Sequence, residues 1–554
     1  MDVEKAKWAL ENLFQRIERD PVGGNWKLNG SITLGEREAL VTVLQHLGSD
    51  VTATIPVAVH TPPPAVTPAP DVPLALNATT LSAPEEPTVM LCLDFGTAMS
   101  KAFAIDSAND TPIDLAVGQR SGYSEAIYAL PSSVFISGTG KLYLGHEAIA
   151  QSLVDETPGR QRFDSPKQEL SQGLTADLSS VTVSKAINPT EIPFTKEELI
   201  TLYLAYLTDM ACTELQEVHE KSRYVKRRFA RPCWDPQRTE WAEKLLMRML
   251  SFAQVLADTF SGKWQGGLDV RSVRAVFDKL KSVSAPTYLI AGGVEEPVAA
   301  ASSIVLQGER NHPGFLVVDV GAGTTDFGLF VVVQPKGSST PKIFRLRGSI
   351  HGIRQAGDTI DNFLRGIILK KHHVDVQSPD GMKIGADLNL HIRRYKETLF
   401  RDGSLSYRLA DDTTGTISLP EFLGSPEVVR FSKALHEAVQ KTFDGVHESW
   451  IKRMFEQPGV LVVLTGGGAR LPMVQDLTKG WIETHGMRVL CHAAPTVPTW
   501  ITEEHSEFID EFPQLAVAMG GAAPELPEMG PDTPQFAGLS APTYMASNLQ
   551  VKGV

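Results

Sequence analysis

Three short strings, far apart along the chain, carry residue types suited to handling phosphates: LCLDFGTAMSK over 91–101, LVVDVGAGTTD over 316–326 and VLVVLTGGGARLP over 460–472. Each is an apolar run that stops at Asp or Thr and continues in small residues. That is the pattern of a buried strand whose end opens into a tight loop. Glycine lets backbone N–H groups come close to a ligand, and successive exposed N–H groups form a concave anion site. The first two strings place Asp94 and Asp319 at the strand ends, where a carboxylate suits a hydrated divalent cation beside phosphates. A strand-end Asp can also do no more than close its own turn. With two such strings in one chain, a nucleotide held between two halves of the protein is the economical reading.

The elements that must position these loops follow from composition and periodicity. A chain of 554 residues exceeds one typical core and should divide into domains. Hydrophobic content of 42% and charged content of 21% are ordinary for a globular protein. The formal net charge of −13 argues against a nucleic-acid scaffold; the best basic patch, Lys226-Arg227-Arg228, reads as a solvated strand entry. The four cysteines form no C-x-x-C pair and no metal spacing, so reduced thiols in a cytoplasmic protein are expected. No apolar run approaches membrane-spanning length, and residues 1–20 do not read as a signal peptide.

Residues 1–50 read as two short helices. Leu10, Leu13, Phe14 and Ile17 keep helical spacing, as do Leu40, Val43, Leu44 and Leu47. Thr33 with Glu36 makes a capping box for the second helix, and Gly48 marks its stop. Residues 51–87 hold nine prolines and read as an extended, semi-rigid linker. Residues 88–524 form the large α/β region, and 525–554, rich in Pro, Gly, Ser and Ala, read as a disordered tail.

Taken together, the three strings resemble the nucleotide-binding signature of the superfamily of actin, sugar kinases and heat-shock chaperones: two phosphate loops and an adenosine loop. The intervening chain is most similar to the DnaK-type chaperone branch. The segments carrying that likeness are LPSSV over 130–134, LYLGHEA over 142–148, ARPCWDPQR over 230–238, VEEPVAAA over 294–301, GDTIDN over 357–362 and RYKETL over 394–399. The resemblance spans about residues 90–523. It implies an α/β, duplicated ribonuclease-H-like fold of two lobes, 88–312 and 313–524, with ATP or ADP and Mg²⁺ in the cleft between them.

The same resemblance assigns roles. Gly96 and Thr97 would wrap the β- and γ-phosphates from one lobe, and Gly321, Gly323, Thr324 and Thr325 from the other. Asp94 and Asp319 would hold magnesium through water, and Glu296 would organise the attacking water or the metal shell; Glu295 is the residue a one-position slip would choose. Two lysines compete as the catalytic cation. Lys101 sits where the actin branch carries a phosphate-contacting lysine, and Lys167, in FDSPKQEL over 163–170, resembles the chaperone branch's lysine. At the adenosine end, Gly466, Gly467 and Gly468 would pass close to the base, Arg470 would stack on it, and Lys396 would lie on the adjacent helix. The clamp departs from the family here: Glu397 stands where a second arginine is expected, Arg393 where an acid is, and Gln514 where an Asp is.

Only about thirty residues follow the α/β region, so the client-binding domain of DnaK-type chaperones does not carry over. The leading expectation is an ATP-hydrolysing, chaperone-like conformational switch that reports to a protein partner, with residues 1–50 as the candidate docking module. An actin-like polymerising protein and a small-molecule kinase of the same superfamily are the alternatives. Neither a nucleic acid nor a membrane is expected as partner.

Overall fold

The computed structural model describes residues 3–15, 17–19, 26–28, 36, 39–40, 42–43, 71–123, 126–155, 157, 159–171, 178–305, 314–335, 342–455, 459–495, 497–534 and 539–540. The chain divides into two compact units, Met1–Pro68 and Ala69–Val554.

In the first unit, α1 (Val3–Gln15) buries Ala6 and Ala9 against Ala39, with Leu10 and Val43 alongside. Ile17 does not extend this helix. It begins β1 (Ile17–Arg19), which pairs antiparallel with β2 (Trp26–Leu28). A hairpin therefore stands where the first expected helix was to continue, while residues 36, 39–40 and 42–43 are helical, where the second helix is expected. Pro21, Gly23, Gly24 and Asn25 between the strands are the turn chemistry that signals it. The expected caps Thr33 and Gly48 lie outside the described residues.

The second unit is built on two mixed sheets. In the first, β3 (Val89–Asp94), β4 (Met99–Asp106) and β5 (Thr111–Asp114) run antiparallel. The helix α2 (Lys196–Glu217), started by a capping box between Thr195 and Glu198, is buried on all sides from Leu199 to Cys212 in the core of this half. After it, β6 (Lys226–Arg231) adds parallel to β3, and β7 (Ile290–Glu295) adds parallel to β6. The helix α3 (Glu296–Val305) follows directly.

The second sheet repeats that plan. The strands β8 (Gly314–Val320), β9 (Thr325–Pro335) and β10 (Lys342–Arg345) run antiparallel. The helices α4 (Gly357–Lys371) and α5 (Pro379–Asp402) intervene. Then β11 (Val460–Thr465) adds parallel to β8, and β13 (Met487–Ala493) parallel to β11, with β12 (Gly480–Thr484) outside it. Both sheets therefore have their first strand in the middle, two antiparallel neighbours on one side and two parallel ones on the other. Strands near the centre are buried on both faces, which is why β8 reads as the unbroken apolar run GFLVVDV.

The two sheets are tied by helices that cross over. The helix α3 follows the first sheet but packs on β8 and β9, whereas α6 (Phe512–Ala522) follows the second and packs on β3 and β4. Their small faces, Ala299–Ala301 against Ala516–Gly521, let the backbones meet. A Cβ on Gly520 would stand 1.7 Å from the Ala299 carbonyl oxygen. The mixed α/β architecture is thus as expected.

Two boundaries differ. Of the expected linker, residues 71–87 belong to the second unit: Val72 and Leu74 pack on its core, Ala75 N donates to Thr259 Oγ1 at 3.0 Å, and Tyr288 Oη donates to the Ala78 carbonyl at 2.9 Å. Of the expected tail, β14 (Glu528–Met529) pairs with β10, and Trp450 Nε1 donates to the Pro531 carbonyl at 3.2 Å. In both places apolar and aromatic residues dispersed among prolines find a surface, which composition alone does not reveal. Among the described residues no helix is long and apolar enough to cross a membrane.

Candidate functional site

The strand order brings the loops together. In open α/β sheets the crevice lies beyond the carboxyl ends of the strands where the order reverses, and the three strings supply those ends. Residues 95–98 join β3 to β4, residues 321–324 join β8 to β9, and residues 466–471 follow β11. They border a cleft of about 1160 Å³, counting its open mouth, lined among others by Asp94, Lys101, Lys167, Glu296, Asp319 and Thr324.

Glycines are required where the loops turn and touch. A Cβ on Gly96 would meet the Met99 carbonyl oxygen at 1.8 Å. A Cβ on Gly323 would meet Thr97 Oγ1 at 2.8 Å, so the two loops abut across the cleft. Among the described residues the N–H groups of Thr97, Ala322 and Gly323 have no acceptor, whereas Gly321 N donates to the Thr324 carbonyl at 3.0 Å. The loop after β11 is braced differently. Gly466, at φ +82°, donates to the Pro513 carbonyl and Gly468 N to the Val320 carbonyl, leaving Gly467 open to the cleft.

The floor is a buried array of alternating charge. Lys101 lies directly across the ladder from Asp94, with Nζ 3.3 Å from Oδ2. Lys167 is 3% exposed and forms an ion pair with Glu296 at the start of α3. Burial works against the Lys167 charge, but Glu296 and Asp94 more than offset it and hold the ammonium above its ordinary range. Asp319 Oδ1 accepts from Thr465 Oγ1 at 2.8 Å, and burial, with Glu296 and Asp94 nearby, pushes its carboxyl up to about 7.

Asp326, across the ladder from Asp319, is completely buried; burial and Glu296 raise it to about 8. Its Oδ1 accepts from Cys233 N at 2.7 Å, and its Oδ2 has no partner among the described residues. Sequence reasoning quoted Asp326 within the second string without giving it a role. The available signal was a period-two pattern in a strand, which aims Asp326 away from its neighbours and into the lobe interface.

This floor holds four carboxylates, Asp94, Glu296, Asp319 and Asp326, against two ammonium groups. Burial first, and the neighbouring carboxylates second, raise the carboxyls of Asp319 and Asp326, and Asp326 Oδ2 has no partner among the described residues. A divalent cation fits that donor set, with Asp94 and Asp319 the residues that would hold it. Among the described residues no three His, Cys, Asp or Glu side chains converge as direct ligands.

The other expected residues fall in different places. Thr325 is fully buried and its Oγ1 donates to the Gln355 carbonyl at 2.7 Å, so the alternation of β9 turns it away from the cleft while Thr324 lines it. Arg470 is exposed, with Nη2 3.5 Å from the Asp510 carbonyl, and is not among the lining residues. Glu296 rather than Glu295 faces the cleft; Glu295 pairs with Arg231 and Arg345 instead. At the far end, Lys396 reaches Asp361 Oδ2 at 3.0 Å and the Gly357 carbonyl at 3.3 Å, and Arg393, Glu397, Leu471 and Gln514 complete the wall. Arg393 stands 3.9 Å from Asp358, whose carboxyl burial pushes up to about 6. The basic triplet is spent internally: Arg227 is buried, and Arg228 donates to the Gly521 carbonyl at 3.2 Å. No protein-family model matches the chain.

Proposed function

We propose that this cleft binds a purine nucleoside triphosphate with Mg²⁺ and hydrolyses it, in the duplicated ribonuclease-H-like fold shared by actin, sugar kinases and heat-shock chaperones. Within that class the chain is read as a chaperone-like ATPase of the DnaK branch, working as a nucleotide-driven switch for a protein partner. The observation carrying this reading is the meeting of three glycine loops from two sheets that share a five-strand central order over one buried charge array.

When bound, the triphosphate would supply the electrophile, and magnesium held by Asp94 and Asp319 through water would offset part of the carboxylate and phosphate charge. The N–H groups of Thr97, Ala322 and Gly323 are free to donate to phosphate oxygens from both lobes. Lys167 is locked by Glu296 into a position where its charge acts in a water-poor site, which strengthens electrostatic stabilisation of developing negative charge. Glu296 can in turn orient a water near the loops, and Asp319 can hold a proton at its carboxyl until a cation displaces it. Because Thr97 and Gly323 touch, ligand contacts made by both loops favour the closed arrangement of the lobes, the basis for a two-state switch.

The test is phosphate release from ATP by the purified full chain, with and without Mg²⁺. Asp319→Ala is expected to abolish it; unchanged turnover in that variant rejects the site. Lys101, which lines the cleft as in the actin branch, favours a second reading, nucleotide-dependent polymerisation, for which sedimentation with and without ATP is the check.

A further inference from the structure

The segment that carries Lys167 is anchored in the first lobe. Phe163 and Asp164 pair with the strand Ser133–Ile136, and Ser133 Oγ donates to Asp164 Oδ1 at 2.6 Å. Ser165, at φ +58°, turns the backbone towards a single helical turn, Gln168–Ser171. Around that turn Lys196 Nζ reaches Glu169 Oε1 at 2.7 Å, and Leu170 is buried. Arg238 Nε donates to the Leu170 carbonyl at 2.9 Å, and Trp234 Nε1 to Ser171 Oγ at 3.1 Å.

Gln168 departs from that pattern, because its side chain crosses to the second lobe. Its Nε2 donates to Asp358 Oδ2, and its stem lies against the second phosphate loop, where a Cβ on Gly323 would stand 3.4 Å from Gln168 Cγ. Asp358 belongs to the first turn of α4, which hangs on that same loop. Asp358 N donates to the Ala322 carbonyl at 2.7 Å and Gly357 N to the Gly321 carbonyl at 3.1 Å. On its other side Asp358 Oδ1 lies 3.9 Å from Arg393. Gln168 itself is not among the residues lining the cleft.

Two consecutive residues thus do different work. Lys167 presents its ammonium to the cleft and is fixed to the first lobe by Glu296. Gln168 fixes the same backbone to the loop whose Ala322 and Gly323 N–H groups face the phosphate position. A neutral amide donating to a carboxylate makes a strong, directional bond without adding a further charge beside the buried array. Because an ammonium stabilises developing charge only from the right place, a tie of this kind bears on rate more than on affinity.

We infer, on the nucleotide reading of the cleft, that Gln168 is a positioning residue for hydrolysis, setting Lys167 in register with the second phosphate loop through Asp358. It touches neither the nucleotide nor the metal. Its effect passes through Lys167 on one side and through the start of α4 on the other.

The experiment uses the full chain, with phosphate release from Mg²⁺–ATP for kcat and isothermal titration for affinity. Gln168→Ala is expected to lower kcat at least about tenfold while the dissociation constant shifts by less than about threefold. Asp358→Ala should reproduce that loss of rate, and the two together should cost no more than either alone. Gln168→Glu sets two carboxylates face to face and should lose at least as much. Gln168→Glu combined with Asp358→Gln rebuilds the bond with donor and acceptor exchanged and should recover most of kcat, which separates positioning from misfolding. Unchanged kcat in Gln168→Ala, equal losses of rate and affinity, additive losses in the double alanine variant, or no recovery in the exchange variant overturns the inference. A parent protein that releases no phosphate overturns the nucleotide reading and this inference with it, a result distinct from any confined to the variants.

Discussion

The two ends of the cleft are built on different principles. At the floor each charged side chain is pinned by another: Lys101 by Asp94, Lys167 by Glu296, Asp319 by Thr465. At the far end the backbone is fixed, with Gly466 and Gly468 bonded to Pro513 and Val320, but Glu397 and Arg470 are exposed side chains on its rim. The floor holds geometry through buried charge, so few substitutions are tolerable there. Beyond the Lys396–Asp361 pair, the rim is held by backbone hydrogen bonds more than by buried side-chain charge.

The comparison is most sharply strained at Lys167. Lys167→Met leaves Glu296 buried without its partner, which should cost about 3–5 kcal/mol of stability and depress hydrolysis. Adding Glu296→Gln should recover much of the stability but not the activity. Denaturant unfolding of the single and double variants measures this, and additive losses would show that the pair is not coupled.

Next in size is the pH response of Asp319. Its folded pKa, about 7, lies above the ordinary 3.8, so the folded state holds this proton the more tightly. The resulting stabilisation is fully present below about pH 4 and is lost as the pH rises through 7, on the order of 2–4 kcal/mol across the window. Asp319→Asn should remove that slope and melt higher than the parent at pH 8, while losing hydrolysis. A variant whose melting temperature follows the parent at every pH would contradict the assigned burial and charge.

At the far end, Gly466→Ala strains a residue at φ +82° whose Cβ would stand 2.4 Å from the Val320 carbonyl oxygen. A loss of about 1–3 kcal/mol is expected, with a weaker nucleotide affinity. Arg470→Ala should change stability by less than about 0.5 kcal/mol and affinity by no more than about twofold. A tenfold effect there would place the guanidinium on the base after all.

How much of this was legible follows the same division. The strand ends and their loops could be read directly, because an apolar run that stops at Asp and opens into glycine is local chemistry. Asp94 and Asp319 fall in the cleft as their strings suggest; Glu296 lines it too, but only the family resemblance pointed to it, not its spacing. Thr325 could have been excluded by the period-two alternation that buries it, had the strand been begun one residue earlier. The role of Asp326 is not legible locally, since it depends on Cys233 and on the facing ladder, contacts between distant segments. The contact of Arg470 with the Asp510 carbonyl likewise joins the loop to a segment some forty residues on. The Ile17–Leu28 hairpin is masked by apolar spacing shared with a helix, although the Gly-Gly-Asn run between its strands is a sequence signal for it.

The central claim, that the buried charge array serves a magnesium nucleotide, is met most directly by isothermal titration of the full chain with ATP in the presence and absence of Mg²⁺, for the parent and for Asp319→Asn. Saturable, magnesium-dependent binding by the parent, lost or strongly weakened in the variant, is the result predicted. A folded parent protein that binds no purine nucleoside triphosphate, or a variant that binds as the parent does, would contradict it.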